Sequence, residues 1–324
     1  MKKTLIQIDS HANTGDKVEL TKLCIKSLRP LGYPILVTSH IDIDDEVKEL
    51  ADYTYSDGVN VLLPDTDDIY YYYYSTDSFV MSFAIKNIEP HSPATVSAFQ
   101  NGAKFAAENG FDYFLKVEYD FILENFEIPR LFGHIHLAEK RLGFFYGPNN
   151  GHHIAPKCIF SKSHLINDLL PKKIETHQIY YEYCDRFKVP ASENRITGNF
   201  TYYMLKNYID LFDRYYYNGD DYFKYNVPKN LQTNFMGFLC PLSSKDGRIF
   251  LCMCGLSYFN TTYKIFKDSN IIKSGEINFE EGIWYMEPLD LENFTEYKLV
   301  WYDNQIIFTK NDVLSGKFGT IEFF

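Results

Sequence analysis

The sequence predicts an α/β fold: a doubly wound, mostly parallel sheet over residues 1–227, followed by a small β-sandwich-like domain over residues 228–324. Three observations carry this expectation. At the N-terminus an apolar strand, a polar loop and an amphipathic helix follow one another. A helix rich in small residues stops at Asn109-Gly110 and leads into the apolar stretch 111–120. Beyond residue 226 helical spacing gives way to short alternating runs separated by turn signals.

Residues 4–8 read as a strand that ends in the polar loop 9–15, and Asp16 with Glu19 resembles a capping box for a helix carrying Leu20, Leu23, Cys24 and Leu28. Residues 34–38 form a second strand, 46–51 a short helix and 59–63 a third strand. The tyrosine-rich segment 69–88 is ambiguous by period, with a helix favoured around residues 79–85. Val96, Phe99, Ala103, Ala106 and Ala107 recur at helical spacing before the central strand. Residues 128–142 and 196–217 read as helices, as do 165–170 and 179–187, with strands at 142–146 and 157–160. In the C-terminal part, strands are expected at 249–253, 263–266, 271–273, 283–286, 297–301 and 305–309, spaced by turns at Asp246-Gly247, Asp303-Asn304 and similar pairs.

The composition narrows the function. A net charge of −11 argues against a basic surface for nucleic acid or anionic membrane. The six cysteines contain no C-x-x-C pair, so neither a zinc cluster nor a disulfide framework is indicated and reduced thiols are expected; Cys252 and Cys254 fall in an apolar run and read as buried. Met1-Lys-Lys precedes an apolar run too short for a secretory leader, and no segment approaches the roughly 18 apolar residues of a membrane span. The expectation is a cytoplasmic protein with no integral membrane segment. P-loop, G-x-G-x-x-G, H-E-x-x-H and G-x-S-x-G patterns do not occur.

The central stretch 111–120 supplies the chemistry. In a strand, positions two apart share a face, so Glu118 and Asp120 are expected to project together at a carboxyl end, where open α/β sheets bind ligands. Helix, glycine stop, apolar strand and two acids, in this order, resemble a GT-A fold glycosyltransferase, most closely the family 2 type, over residues 1–220. The resemblance implies a divalent cation, Mn²⁺ or Mg²⁺, held by Asp120 with Glu118, and a nucleoside-diphosphate sugar donor, with UDP favoured. Glu118 departs from the Asp-x-Asp pattern of such enzymes and could instead contact the ribose. The resemblance also assigns Ser10, His11, Asn13 and Asp42 to the nucleotide.

Inverting transfer needs a base for the acceptor hydroxyl. The candidates are Glu193, in a loop before a helix, and Glu182 with Asp185, three apart on one helix face. His152, in a glycine loop, is a candidate late metal ligand. His134 and His136 do not share a helical face and make a poor metal pair. The Gln-x-x-Arg-Trp motif of processive family 2 synthases is absent, which favours single-sugar transfer. The sequence does not identify the acceptor, which could be a glycan, protein, lipid or modified nucleic acid; the C-terminal domain could bind it, mediate homo-oligomerisation or cover the catalytic domain, with Trp284, Tyr285, Trp301 and Tyr302 as candidate stacking residues. Two alternatives stay open: a nucleotidyltransferase on a similar fold, although the loop 10–16 has one glycine and no arginine, and a non-catalytic sugar-binding or assembly protein on a degenerate GT-A scaffold.

Overall fold

The computed structural model describes residues 3–65, 69–86, 91–122, 142–144, 158–208, 238–254, 259–279, 285–301 and 304–324. In chain order the elements are β1 (Thr4–Asp9), α1 (Gly15–Leu28), β2 (Ile35–Ser39), α2 (Asp45–Leu50), β3 (Tyr53–Ser56), β4 (Ile69–Ser75), β5 (Phe79–Lys86), α3 (Ser92–Glu108), β6 (Tyr113–Glu118), β7 (Leu142–Phe144), β8 (Cys158–Lys162), α4 (Ser163–Leu169), α5 (His177–Phe187) and α6 (Thr197–Leu205). They continue with β9 (Phe238–Ser244), β10 (Ile249–Cys254), β11 (Phe259–Lys267), β12 (Asn270–Phe279), β13 (Tyr285–Leu289), β14 (Glu296–Trp301), β15 (Asn304–Thr309), α7 (Lys310–Leu314) and β16 (Gly319–Phe323). The chain is mixed α/β with several sheets and divides into two compact units. One is residues 1–65 with 89–227; the other is 66–88 with 228–324.

The first unit is built on a sheet of order β3-β2-β1-β6-β8-β7. β3, β2, β1 and β6 run parallel, while β8 pairs antiparallel with β6 and with β7. Leu5, Ile6, Ile8, Leu36, Val37, Phe114, Leu115 and Val117 are all buried, as expected where helices cover both faces of parallel strands. α1 starts on Thr14, whose hydroxyl accepts from Lys17 N–H, and buries Leu20, Cys24, Ile25 and Leu28. α3 carries a proline in its first turn and buries Val96, Phe99, Ala103 and Ala106. Its small residues let it lie close on the sheet: a Cβ at Gly102 would come within 1.9 Å of Gln7 Oε1. Gln7 in turn spends its amide N–H groups on Thr38 Oγ1 at 2.9 Å and Ala98 O at 2.7 Å, tying β1 to β2 and to α3.

Chain direction places the site. From β1 the chain steps outward through β2 to β3, then returns to lay β6 on the other side of β1. The strand order therefore reverses between β1 and β6, the position at whose carboxyl ends open α/β sheets bind ligands. α3 leads through a tight glycine turn into β6 and so runs against it, bringing the N-terminus of α3 to the same end of the sheet.

The second unit holds a six-stranded sheet of order β13-β10-β9-β16-β5-β4 and a four-stranded sheet of order β12-β11-β14-β15. One core cluster draws on both, with Leu239, Leu251 and Met253 from the first and Tyr263, Leu299, Trp301 and Phe308 from the second. Gly319 has φ +114°, and a Cβ there would lie 1.7 Å from Ser82 O, so only glycine lets β16 close on β5.

The structure corrects several expectations. Residues 79–86 are a strand, because Phe79, Met81 and Phe83 are buried at period two; with β4 they form a hairpin that belongs to the second unit and not to the region 1–227. Residues 59–63 are not a strand; the third parallel strand is β3, whose four residues are all exposed and give no apolar signal. β6 stops at Glu118, leaving Asp120 in the following turn. The expected helix over 196–217 is α6 followed by a 3₁₀ turn over Lys206–Tyr208, and its remainder lies outside the described residues, as does the expected helix 128–142. β9, β16 and α7 carry no signal that the sequence reading used. Among the described residues no helix is long and apolar enough to cross a membrane.

Candidate active site at the β1/β6 seam

Register puts Asp9 opposite Glu118 and Gln7 opposite Lys116, so these four side chains share the face covered by α3. Lys116 interrupts an otherwise apolar strand and is 1% exposed, with Nζ 3.7 Å from Asp9 Oδ2 and 3.4 Å from Glu118 Oε1. Asp9 and Glu118 are 14% and 17% exposed and form the solvent edge of the group. Burial lifts the Asp9 carboxyl to about 6, against the pull of Lys116 and His40 and with the push of Glu118. Asp120 is fully buried in the turn beyond, where Phe121 N–H donates to Glu118 O at 2.9 Å. The Tyr119 phenol is pushed well up by burial and then by Asp120, Glu118 and Asp9, so one hydroxyl senses all three carboxylates. The expected pair Glu118/Asp120 therefore does not share a strand face: Glu118 ends β6 beside Asp9 and Lys116, and Asp120 lies buried in the turn that follows.

The first loop borders this group. Ser10 is buried and its hydroxyl is engaged with Thr21 Oγ1 at 3.0 Å, which fixes the loop on α1. Asn13 is exposed and accepts from Lys17 Nζ at 2.8 Å. The His11 imidazole is held below its usual value by burial, then by Lys17, His40 and His91, so it is neutral near pH 7 and able both to donate and to accept. Asp42 is exposed beyond β2; the N-cap of α2 is Asp44, which accepts from Glu46 N–H at 2.9 Å.

A second polar cluster anchors the end of β2. Asp57 accepts from Lys173 Nζ at 2.8 Å, Asn101 Nδ2 at 2.9 Å and Val59 N–H at 3.0 Å, and lies 3.4 Å from His40 Nδ1. The other ring nitrogen of His40 meets Ala94 O of α3 at 2.8 Å. Burial alone would raise the Asp57 carboxyl, yet the bonds from Lys173, Val59 and Asn101 outweigh it and hold it at about 2. None of these residues was singled out by the sequence. A buried lysine inside an apolar strand is a signal that could have found Lys116; the Asp57 cluster is assembled from separate segments and leaves none.

Of the base candidates, Glu193 lies half-buried in the turn 191–195, next to the Tyr203 phenol, whose value is raised by burial and then by Glu193. That turn is tied to the N-terminus of α3: Ser92 Oγ donates to Arg195 O at 2.6 Å, and Thr197 Oγ1 bonds Ser92 Oγ at 3.2 Å. Glu182 is 63% exposed and pairs with Lys172 at 3.1 Å; Asp185, three residues on, is exposed too. Neither contributes to the seam. His152 lies outside the described residues.

The seam offers a hard divalent cation an oxygen-only donor set of one or two carboxylates, Asp120 and Glu118. Among the described residues no group of three or more histidine, cysteine or acidic side chains could hold a metal alone. Two carboxylates, with the remaining positions left to phosphate oxygens and water, fit the way Mg²⁺ and similar ions are bound with nucleotides.

No protein-family model and no curated protein matches the chain. Solved structures with a similar course include a putative nucleotide-diphospho-sugar transferase from Desulfovibrio desulfuricans G20 (9% identity, TM-score 0.31, 57% of this chain and 77% of that one). A cytidylyltransferase from Leptospira borgpetersenii serovar Hardjo-bovis matches with 13% identity and TM-score 0.31 over 57% of this chain and 72% of that one. S. aureus TarS matches with 8% identity and TM-score 0.33 over 94% of this chain and 77% of that one. Likenesses this distant establish no family and carry no argument about activity.

Proposed function

We propose that the chain is a metal-dependent GT-A glycosyltransferase that moves a single sugar from a nucleoside-diphosphate sugar, UDP-linked by preference, to an acceptor hydroxyl with inversion. The observation that carries this reading is the grouping of Asp9 and Glu118 with the buried Lys116 at the point where strand order reverses, with Asp120 in the turn that follows. A sheet builds such a concentration of like charge against its own stability where a ligand is to complete it.

The donor lies across the β1/β6 seam, with its base against the first loop, where neutral His11 and exposed Asn13 offer both donors and acceptors. Asp120 and Glu118 would hold a divalent cation, which would offset the negative charge that gathers on the leaving diphosphate. The acceptor oxygen attacks the anomeric carbon from the opposite face, the bond to the diphosphate oxygen breaks, and the hydroxyl proton passes to the Glu193 carboxylate. Glu193 is favoured over Glu182 and Asp185 because its turn is bound to the N-terminus of α3, at the carboxyl end of β6, and because Glu182 is exposed and already paired.

The test is release of nucleoside diphosphate from a donor panel with Mn²⁺. The expected result is turnover by the wild-type protein and its loss, by about 10³-fold or more, in Asp120→Ala with the fold intact by circular dichroism. Full activity in that variant overturns the assignment. Pyrophosphate release from a nucleoside triphosphate and a sugar phosphate, in place of diphosphate release, points to nucleotidyl transfer instead.

A further inference from the structure

The second unit contains a cavity of about 390 Å³, within the size range of small-molecule sites, that the sugar transfer above does not use. Its lining comes from the turn into β10 with the first two residues of that strand, from the end of β13 with the two residues after it, and from the first residue of α7. Ile249 pairs with Leu289 and Phe250 with Pro288, so two rungs of one antiparallel ladder supply most of the apolar lining, and Leu291 adds to it. Three charged residues join them: Arg248, Asp290 and Lys310. Two cations on one small cavity stand out in a chain of net charge −11.

Both cations are held in place, and both have donors to spare. Arg248 ends a closed turn in which Ser244 N–H donates to Arg248 O at 2.9 Å and Gly247 N–H, at φ +81°, donates to Ser244 O at 3.0 Å. The guanidinium lies 5.4 Å from the centre of the Phe250 ring and 5.5 Å from that of Phe323, which fixes its plane. Its Nε donates to Asp246 at 2.6 Å, while among the described residues the two terminal amino groups make no hydrogen bond. Lys310 follows Thr309, whose reciprocal capping box with Asp312 anchors the start of α7. The Lys310 side chain is half-buried and makes no ion pair or hydrogen bond among the described residues. Lys267, Lys273 and Lys317 of the same unit each close on a carboxylate, at 2.5, 2.6 and 2.9 Å. Asp312, the acid nearest to Lys310 in sequence, is already committed to Thr309 and Lys317.

We propose that this cavity binds a small hydroxylated anion: a monosaccharide carrying one phosphate or carboxylate group. Each part of the lining has its counterpart in such a ligand. Lys310 and the terminal amino groups of Arg248 form charge-assisted bonds with the acid group. The exposed Asp290 carboxylate can only accept, which suits ring hydroxyls and repels a bare anion. Ile249, Phe250 and Leu289 offer an apolar surface to the C–H face of the ring. A neutral sugar leaves both cations unanswered, and free phosphate leaves the apolar lining empty. The site is independent of the donor-site reading, because all of its residues lie in the second unit.

The experiment is calorimetric titration of the full chain, in EDTA and without nucleotide, with glucose 6-phosphate, mannose 6-phosphate, glucuronate and galacturonate. Glucose and inorganic phosphate serve as comparisons. At least one sugar acid is expected to bind about tenfold or more tightly than either comparison, and Lys310→Met and Arg248→Gln are each expected to weaken it by about tenfold. A preference for the two phosphates or for the two carboxylates supports the proposal and identifies the acid group. Glucose or inorganic phosphate binding as tightly as every sugar acid overturns it, and that result needs no variant. Undiminished binding by a folded Lys310→Met overturns it too, and Arg248→Gln carries the same comparison should Lys310→Met fail to fold. Absence of binding by all four sugar acids to the folded wild type overturns it and leaves the donor site untouched.

Discussion

Among the described residues of the first unit, two buried charge clusters differ in how well each is closed. Asp57 receives three hydrogen bonds at 2.8 to 3.0 Å, and its carboxyl is held at about 2. Asp9 has Lys116 at 3.7 Å, shares that lysine with Glu118, and its carboxyl is lifted to about 6. The same residue types thus produce opposite electrostatics on neighbouring parts of one sheet. A buried carboxylate that receives several close hydrogen bonds stays ionised and stabilises the fold; one that is buried with only a distant, shared cation is pushed up by its burial. The two clusters are also linked, because His40, which meets Asp57 and Ala94, also acts on the Asp9 carboxyl.

Breaking the closed cluster is expected to have the largest effect. Asp57→Ala leaves Lys173, Asn101 and His40 without their shared acceptor and is expected to lower stability by about 3–5 kcal/mol, read by urea denaturation. Asp120→Ala, in the open cluster, is expected to change stability far less while removing activity. A loss of similar size in both variants removes the distinction between the two clusters.

A second contrast sets the two base candidates apart. Glu193→Gln is expected to reduce kcat by about 10²-fold or more, while Glu182→Gln, which loses only an exposed ion pair, leaves kcat unchanged and stability within about 0.5 kcal/mol. Steady-state kinetics on both variants checks this, and a reversed pattern reassigns the base to α5.

Gly102→Ala tests the packing that holds β1 in place. The added Cβ meets the amide of Gln7, which is buried and bonded on two sides, so the expected loss is about 1–3 kcal/mol by thermal denaturation. The smallest expected effect is on the acid limb of stability. The folded value of Asp57 lies below its ordinary 3.8, so its contribution is complete above about pH 4 and is lost as pH falls towards 2. With allowance for solvent screening this amounts to about 1–2 kcal/mol, and Asp57→Asn should flatten that part of the pH–stability curve.

Much of the first unit was legible because its strands are buried on both faces and its helices carry apolar stripes. β1, β2, β6, α1, α3 and α5 all follow from periodicity within a few residues of their bounds. β3 was missed because Tyr53-Thr-Tyr-Ser56 is an exposed edge strand, defined by its pairing with β2 and not by its own pattern. The hairpin β4–β5 was misread because its tyrosine run hides the alternation that is plain at Phe79, Met81 and Phe83. At the candidate site, Glu118 and Asp120 were singled out by their place at the end of an apolar strand, and the first loop only by the family resemblance. Asp9 looked like a loop residue and Lys116 like an interruption; only the register of β1 against β6 makes them partners. Likewise Asp57, Asn101 and Lys173 are separated by many residues in sequence, and a cluster formed by tertiary packing has no local signature.

The central claim is that the open cluster at the β1/β6 seam is a site for a nucleoside diphosphate and a divalent cation. Thermal denaturation with a panel of nucleoside-diphosphate sugars, each with and without Mn²⁺, tests it most directly. The account predicts that at least one donor raises the wild-type transition temperature only when Mn²⁺ is present, and that Asp120→Ala abolishes the shift. A folded wild-type protein that shows no shift with any donor, or an undiminished shift in Asp120→Ala, contradicts it.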